Sequence, residues 1–296
     1  MKSGIVALIG RPNVGKSTLI NALVKEKIAI VSDKPQTTRH IIHGIIQGSG
    51  YQIVLVDTPG IHKPRTTLGT RLNSATNAAL DGIDVVCVLL PANENIGVGD
   101  IMILDQISKL SCRKIAIVSK SDSVKKPQLL QKLQDTMSAA QKFNFEWDEI
   151  IPVSARKSEN ILELEQIFVA YLPESQVLYP EDAITNQDQQ HRIAELIREA
   201  VIRQVFDEVP HSILIDIDEI IHEDSGLVKI FASIYVERES QKGIIVGKGG
   251  GHLKEIGTRA RKEIQQLLKA KVYLDLRVKV ESNWQSNTQT LDKFGF

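Results

Sequence analysis

The octapeptide Gly10-Arg-Pro-Asn-Val-Gly15-Lys16-Ser17 constrains this chain more than any other stretch. It fits the spacing GxxxxGK[ST]. It lies directly after the apolar run Ile5-Val-Ala-Leu-Ile9 and directly before a helical pattern from Thr18 to Val24. Glycines let consecutive backbone N–H groups wrap an anion, and a helix that opens at that point adds positive partial charge. The spacing therefore demands a strand, a phosphate-cradling loop and a helix in series. In such a loop the Lys16 ammonium reaches the β- and γ-phosphates of a nucleotide, and the Ser17 hydroxyl can ligate Mg2+. A chain that begins this way points to an α/β sheet whose site lies in the loops at the strand C-termini.

The rest of the first half fits that sheet. His40–Gln47 and Tyr51–Val56 flank Gly48-Ser-Gly50, a hairpin signal. Further strands are predicted at Asp84–Leu90, Lys114–Val118 and Glu149–Val153, each followed by a helical stretch. The fold class expected over residues 1–173 is α/β, a mainly parallel sheet with helices on both faces. Around residues 174–189 the periodicity lapses into a polar, proline-containing stretch that reads as a linker. Beyond it the order becomes αββααβ. Gln190–Phe206 is amphipathic, Ile213 to Ile217 and Leu227–Val236 read as strands, and Ser240–Val246 and His252–Leu268 as helices. Val272 to Val280 alternates as a last strand. That is an α+β unit over residues 190–280, followed by a tail at 281–296.

Two more loops carry nucleotide chemistry. Asp57-Thr-Pro-Gly60 ends the second hairpin strand. An Asp there can hold Mg2+ through water, and the Gly60 N–H can meet a γ-phosphate, so the loop after it senses that group. Ser119-Lys120-Ser121-Asp122 ends one strand and Ser154-Ala155-Arg156 ends the next. A carboxylate such as Asp122 accepts both N1–H and N2–H of guanine, a donor pair that adenine lacks. A backbone N–H in the second loop can donate to guanine O6.

Charge looks uninformative at first. The 296 residues hold 36 basic and 36 acidic side chains, and a neutral sum argues against a nucleic-acid partner. Counted locally, residues 174–237 hold 4 basic and 14 acidic side chains, whereas residues 238–279 hold 11 basic and 4 acidic. The basic stretch surrounds Gly247-Lys248-Gly249-Gly250 and includes Lys254 and Arg259. A GxxG loop between two helices lets the backbone approach about four nucleotides of single-stranded RNA. The two cysteines, Cys87 and Cys112, lie far apart without a CxxC, which excludes a disulfide scaffold and fits a reducing compartment. No apolar stretch approaches the roughly 18 residues of a spanning helix, and the N-terminus does not read as a signal peptide, so a cytoplasmic protein is expected. His40-x-x-His43 would point to opposite faces of a strand, so no shared metal is assigned to it.

In sequence order, GRPNVGKST, KPQTTRH (residues 34–40), DTPGIHKP (57–64), SKSD, SAR, YPEDAIT (179–185) and VGKGG resemble the Era family of GTPases across nearly the whole length. The resemblance implies a P-loop GTPase domain followed by a type II KH domain. It also implies GTP hydrolysis with Mg2+ as cofactor, and binding of the 3′ end of 16S rRNA in assembly of the 30S subunit. The implied GTP/GDP site takes in Gly10, Arg11, Pro12, Asn13, Val14, Gly15, Lys16, Ser17 and Thr18 of the first loop. Asp57, Thr58, Pro59 and Gly60 would serve the phosphate and metal end, and Ser119, Lys120, Asp122, Ser154, Ala155 and Arg156 the base. The implied RNA site is Gly247, Lys248, Gly249, Gly250, Lys254 and Arg259. Lys16, Thr38, Gly60 and Asn13 are the implied catalytic set. Ser17, Asp57 and a switch threonine, Thr38 or its neighbour Thr37, are the metal set.

Asn13 matches a P-loop Asn that binds K+ in related GTPases, and it could equally cap the loop. Ile61 stands where many GTPases carry a water-orienting Gln, so slow intrinsic turnover is expected. Ser119 replaces the family's Asn, which implies guanine selectivity kept through Asp122 with weaker affinity. A competing class is an RNA-binding assembly factor, gated by nucleotide, with negligible turnover. A monomer is expected, with any membrane contact peripheral at the inner face.

Overall fold

Strand β1 (Lys2–Ile9) runs straight into the glycine loop and helix α1 (Lys16–Val24). A computed structural model describes residues 1–32, 34, 37–60, 66–205 and 212–296. Strands β2 (Ile42–Gly48) and β3 (Tyr51–Asp57) form the expected hairpin, with Gly50 at φ 83 in its turn. A residue with a Cβ is strained at such an angle. Next come α2 (Thr67–Ala78), β4 (Val85–Pro91), α3 (Val98–Ser108) and β5 (Arg113–Ser119). They are followed by α4 (Lys126–Gln141), β6 (Glu149–Pro152) and α5 (Ile161–Tyr171). The six-stranded sheet has the order β2-β3-β1-β4-β5-β6 and is parallel apart from β2.

The central strands read as continuous apolar runs because both faces are covered. Side-chain alternation sends Val6, Leu8, Val85 and Cys87 to one face, against Leu19, Leu23, Leu164 and Phe168. Ala7, Ile9, Val86 and Val88 go to the other, against Ile103, Leu104 and Ile107. Burial in the first of these cores pushes the Cys87 thiol well above its ordinary pKa. The parallel strands β1, β3 and β5 end at Ile9, Asp57 and Ser119. The loops that carry the nucleotide motifs therefore leave one edge of the sheet together.

Residues 174–186 are not a free connector. The Ser175 N–H donates to the Met1 carbonyl at 3.0 Å, and the Leu178 and Tyr179 N–H groups donate to Gln52 Oε1 at 2.7 and 3.0 Å. The Ile45 N–H donates to the Ile184 carbonyl at 2.9 Å, and the His43 N–H to Asn186 Oδ1 at 2.9 Å. β2 is the edge strand, and this segment covers backbone groups that an open edge would leave unpaired. Most of the stretch expected as a linker thus belongs to the first of two compact units.

The second unit has the expected order: α6 (Gln189–Gln204), β7 (Leu214–His222), β8 (Leu227–Val236), α7 (Glu239–Val246), α8 (Gly251–Leu268) and β9 (Lys271–Val280). β7 pairs antiparallel and β9 parallel with β8. Ile193, Ile197 and Val201 of α6 and Ile256, Ala260 and Ile264 of α8 bury against Ile230, Ala232 and Ile234 of β8. Residues 281–296 are packed as well. Trp284 is fully buried and its Nε1–H donates to the Ser212 carbonyl at 2.9 Å. Leu291, on the short helix α9 (Thr288–Lys293), is also fully buried. Burying an indole and a leucine stabilises by a few kcal/mol, enough to hold this segment against the unit. No helix of the described residues is long and apolar enough to cross a membrane.

Candidate functional site

Two left-handed residues shape the phosphate loop: Asn13 at φ 64 and Gly15 at φ 104. Gly15 caps α1, whose first N–H groups open into the loop. Lys16 is buried, and its ammonium donates to the Gly10 and Arg11 carbonyls at 3.0 Å each. Burial lowers its pKa to about 8, and the attraction of Asp57 only partly opposes this. Gly60 stands against Pro12, where a Cβ would lie 2.9 Å from the Pro12 nitrogen. The second motif therefore closes onto the first only with glycine at that position. Thr58 turns its hydroxyl inward, donating to the Leu8 carbonyl at 3.1 Å, and the Pro59 carbonyl accepts from Thr76. The structure thus gives these two residues a fastening role.

Three oxygen-bearing side chains converge beside this loop. The Ser17 hydroxyl donates to Asp57 Oδ2 at 2.8 Å and lies 2.9 Å from the Thr38 hydroxyl, which in turn donates to Asp57 Oδ2 at 3.3 Å. Asp57 is fully buried, and its other oxygen, Oδ1, has no hydrogen-bond partner among the described residues. Burial raises its pKa, against the nearby Lys16 charge and the Ser17 and Thr38 hydroxyls. An orphaned, buried carboxylate oxygen next to two hydroxyls is a hard-oxygen donor set that suits Mg2+. Thr38 is buried here while Thr37 is half-buried. Ile61 lies outside the described residues.

A pocket of about 270 Å³ gathers the residues expected to meet the base and is lined by Val14, Thr18, Leu19, Ser119, Lys120, Asp122, Ala155 and Arg156, among others. Ser119 donates its proton to the Val14 carbonyl at 2.7 Å. Ser154 donates to Asp122 Oδ1 at 2.7 Å, and that bond leads the groups that lower the Asp122 pKa. The carboxylate stays ionised as an acceptor.

Arg11 does not face the nucleotide loop's interior. Its Nε bonds Asp100 at 2.8 Å and its Nη2 bonds Glu94 at 2.9 Å. Asp100 is buried in the first turn of α3, where it also accepts from the Gly97 N–H at 2.9 Å. Lys132 donates to the Glu94 carbonyl at 2.6 Å. Glu94, Asp100 and Lys132 carry no motif, and neither spacing nor periodicity singles them out in the sequence. The one available signal was an acidic residue at a helix start.

In the second unit, Gly247, Gly249 and Gly250 adopt φ of 70, 60 and 79 between α7 and α8. A Cβ on Gly247 would lie 2.6 Å from the His252 ring, whose Nδ1 is 2.9 Å from the Ile244 carbonyl. Lys248 and Lys254 are exposed, and exposed Ile244 adds an apolar surface next to the loop. Arg259 is also exposed but lies farther along α8. At 1.5 Å per residue it stands about 12 Å from the helix start, so it does not join the loop itself.

Comparison with known proteins follows the same division. A family model described as 50S ribosome-binding GTPase matches residues 5–120, and a KH domain model matches residues 208–285. GTPase Era from Mycolicibacterium smegmatis is 46% identical over 299 residues, covering 100% of this chain and 99% of that protein. GTPase Era from a Nocardioides species is 44% identical, covering 100% and 96%. A crystal structure of Era in complex with MgGDPNP and nucleotides 1506–1542 of 16S ribosomal RNA superposes with a TM-score of 0.94 at 37% identity, covering 100% of this chain and 99% of that one. A variant of Aquifex aeolicus Era bound to GDP·AlF4− also gives 0.94, at 36% identity and the same coverage. Relatives this similar along the full length, with both domain models matched in order, show that the chain belongs to the GTPase Era family.

Proposed function

We propose that this GTPase is a switch that binds and hydrolyses GTP in its first unit and holds 16S rRNA through the glycine loop of its KH domain, in biogenesis of the 30S subunit. The observation that carries the catalytic half is the convergence of Ser17, Thr38 and Asp57, with Asp57 Oδ1 unpartnered beside them. When bound there, Mg2+ supplies charge to the β- and γ-phosphate oxygens. Lys16, released from the Gly10 and Arg11 carbonyls, neutralises the transferring phosphoryl group. The Gly60 backbone meets the γ-phosphate, and Thr38 reports its presence to the loop before β2. Asn13, exposed at its left-handed turn, is the residue we assign to K+, an electrostatic stabiliser near the phosphates. Gly10 to Thr18, Asp57 to Gly60, Ser119, Lys120, Asp122 and Ser154 to Arg156 make up the nucleotide site in this reading, with the Arg11 side chain, Thr58 and Pro59 serving it through the contacts that fasten its loops. Gly247 to Gly250 with Lys254 hold RNA phosphates, and Arg259 contacts RNA only beyond the loop.

The RNA half rests on the three left-handed glycines, the exposed lysines beside them and a relative solved with 16S rRNA nucleotides. We place the protein in the cytoplasm as a monomer, with any membrane contact peripheral. The test is multiple-turnover phosphate release with Mg2+, in K+ or Na+, with RNA from the 16S 3′ end. Turnover is expected to be faster in K+ and to fall by about 10²–10³-fold in Lys16→Ala, as removal of a transition-state charge partner does elsewhere. A wild-type rate equal to that of Lys16→Ala sinks the hydrolytic reading. Equal RNA affinity in the wild type and Gly247→Asp sinks the RNA site.

A further inference from the structure

We infer that the base pocket reads guanine by its N1, N2 and O6 edge alone and leaves N7 unread, so that nucleotides altered at N7 are accepted as well as GTP and GDP. The inference rests on the guanine reading above and concerns which atoms of the base are recognised.

A guanine base offers two donors, N1–H and N2–H, and two acceptors, O6 and N7. Asp122 is an acceptor and can serve only the donors. N7 needs a proton from the pocket. Ser119 is the side chain at the floor of that pocket, buried to 7% exposure. A hydroxyl has one proton to give. Ser119 spends it on the Val14 carbonyl at 2.7 Å, which ties this loop to the phosphate loop. Two serines close to it are committed too: Ser123 donates to the Lys120 carbonyl at 2.6 Å and Ser154 to Asp122 at 2.7 Å. Thr18, Lys120 and Arg156 also line the pocket, and a contact from any of them to N7 would show as a wild-type preference for GDP in the experiment below. A carboxamide at position 119 has two N–H donors and can hold Val14 with one while offering the other to the base. Serine keeps the loop-to-loop tie and gives up the contact with N7.

The experiment compares the Kd of GDP and 7-deaza-GDP, in which a C–H replaces N7, with ADP as control. The wild type is expected to bind both guanine ligands within about twofold. Ser119→Asn is expected to prefer GDP over 7-deaza-GDP by about 2- to 10-fold, the worth of one neutral hydrogen bond. Ser119→Ala, which loses only the tie to Val14, is expected to weaken both ligands by the same factor. A wild-type preference for GDP of more than about twofold overturns the inference, as does a ratio that changes in Ser119→Ala. A wild type that binds neither guanine ligand, or binds ADP equally, overturns the guanine reading beneath it, which keeps the two failures apart.

Discussion

Lys16 is a cation held where water does not reach, with a pKa lowered to about 8 by burial. An anionic phosphate in the loop favours its charged form and raises that pKa again. Nucleotide binding must then take up a proton whenever the free protein has lost it. The uptake expected at pH 8.5 is a substantial fraction of a proton per nucleotide, and it falls toward zero as the pH drops to 7. Calorimetry in two buffers of different ionisation enthalpy measures it, and no uptake at pH 8.5 would show that Lys16 is already fully charged. The stability of the nucleotide-free protein follows the same sign. An unfolded lysine titrates near ~10.4, so between pH 8 and that value the unfolded chain binds more protons than the folded one. The contribution of Lys16 to stability is therefore expected to rise with pH across that window. In Lys16→Met both effects should vanish, with the remaining pH dependence left to other groups.

At the level of elements, one helix start and one helix end are fixed by single residues. Asp100 joins the first turn of α3 to Arg11 of the phosphate loop and also caps that turn through Gly97. Asp100→Ala removes a cap and leaves a partly buried guanidinium short of one partner. A loss of about 2–3 kcal/mol is expected in urea unfolding. An unchanged midpoint would mean that Glu94 alone holds Arg11. Gly247 joins α7 to α8 at φ 70, with the His252 ring where a Cβ would go. Gly247→Ala is expected to cost about 1–3 kcal/mol in the second unit and to weaken RNA binding, with GTP hydrolysis in the absence of RNA unchanged. RNA affinity equal to wild type would remove the loop from the interface. The helices and strands themselves were legible in the sequence, because strands covered on both faces read as apolar runs and αββααβ reads by period. The phosphate loop was legible because its chemistry is contiguous. The partners of Arg11 were not, since Asp100 lies far along the chain and only the parallel neighbours β1 and β4 bring the following loops together. Nor was the binding of residues 174–186 to β2, because polar, proline-containing sequence looks the same whether it is solvated or lies along a sheet edge. The three-oxygen cluster was half legible: the residue types were named, but whether Thr37 or Thr38 joins Ser17 depended on a turn that spacing does not fix.

Across the whole molecule, the equal totals of 36 basic and 36 acidic side chains conceal the partner because attraction to RNA acts locally. At physiological salt the screening length is about 8 Å, so a phosphate responds to the charges within about that distance and hardly to the total over the chain. In the proposed reading the RNA meets the set of cations around Gly247 to Gly250, and each phosphate neutralised there would release a counterion. For single-stranded RNA the slope of log affinity against log salt changes by about 0.7 per contact. If Lys248 and Lys254 each neutralise one phosphate, the Lys248→Gln, Lys254→Gln double variant should show a slope shallower by about 1.4 than the wild type. Arg259→Gln, about 12 Å from the helix start, should change the slope only with an RNA long enough to reach it. Glutamine is polar and uncharged and suits these exposed positions, so a change in slope reports lost charge and not lost fold. Affinity measured at several salt concentrations, with a short and a long fragment of the 16S 3′ end, separates the contributions. A slope that the double variant leaves unchanged with the short RNA would move the phosphate contacts off this loop and onto another part of the KH unit.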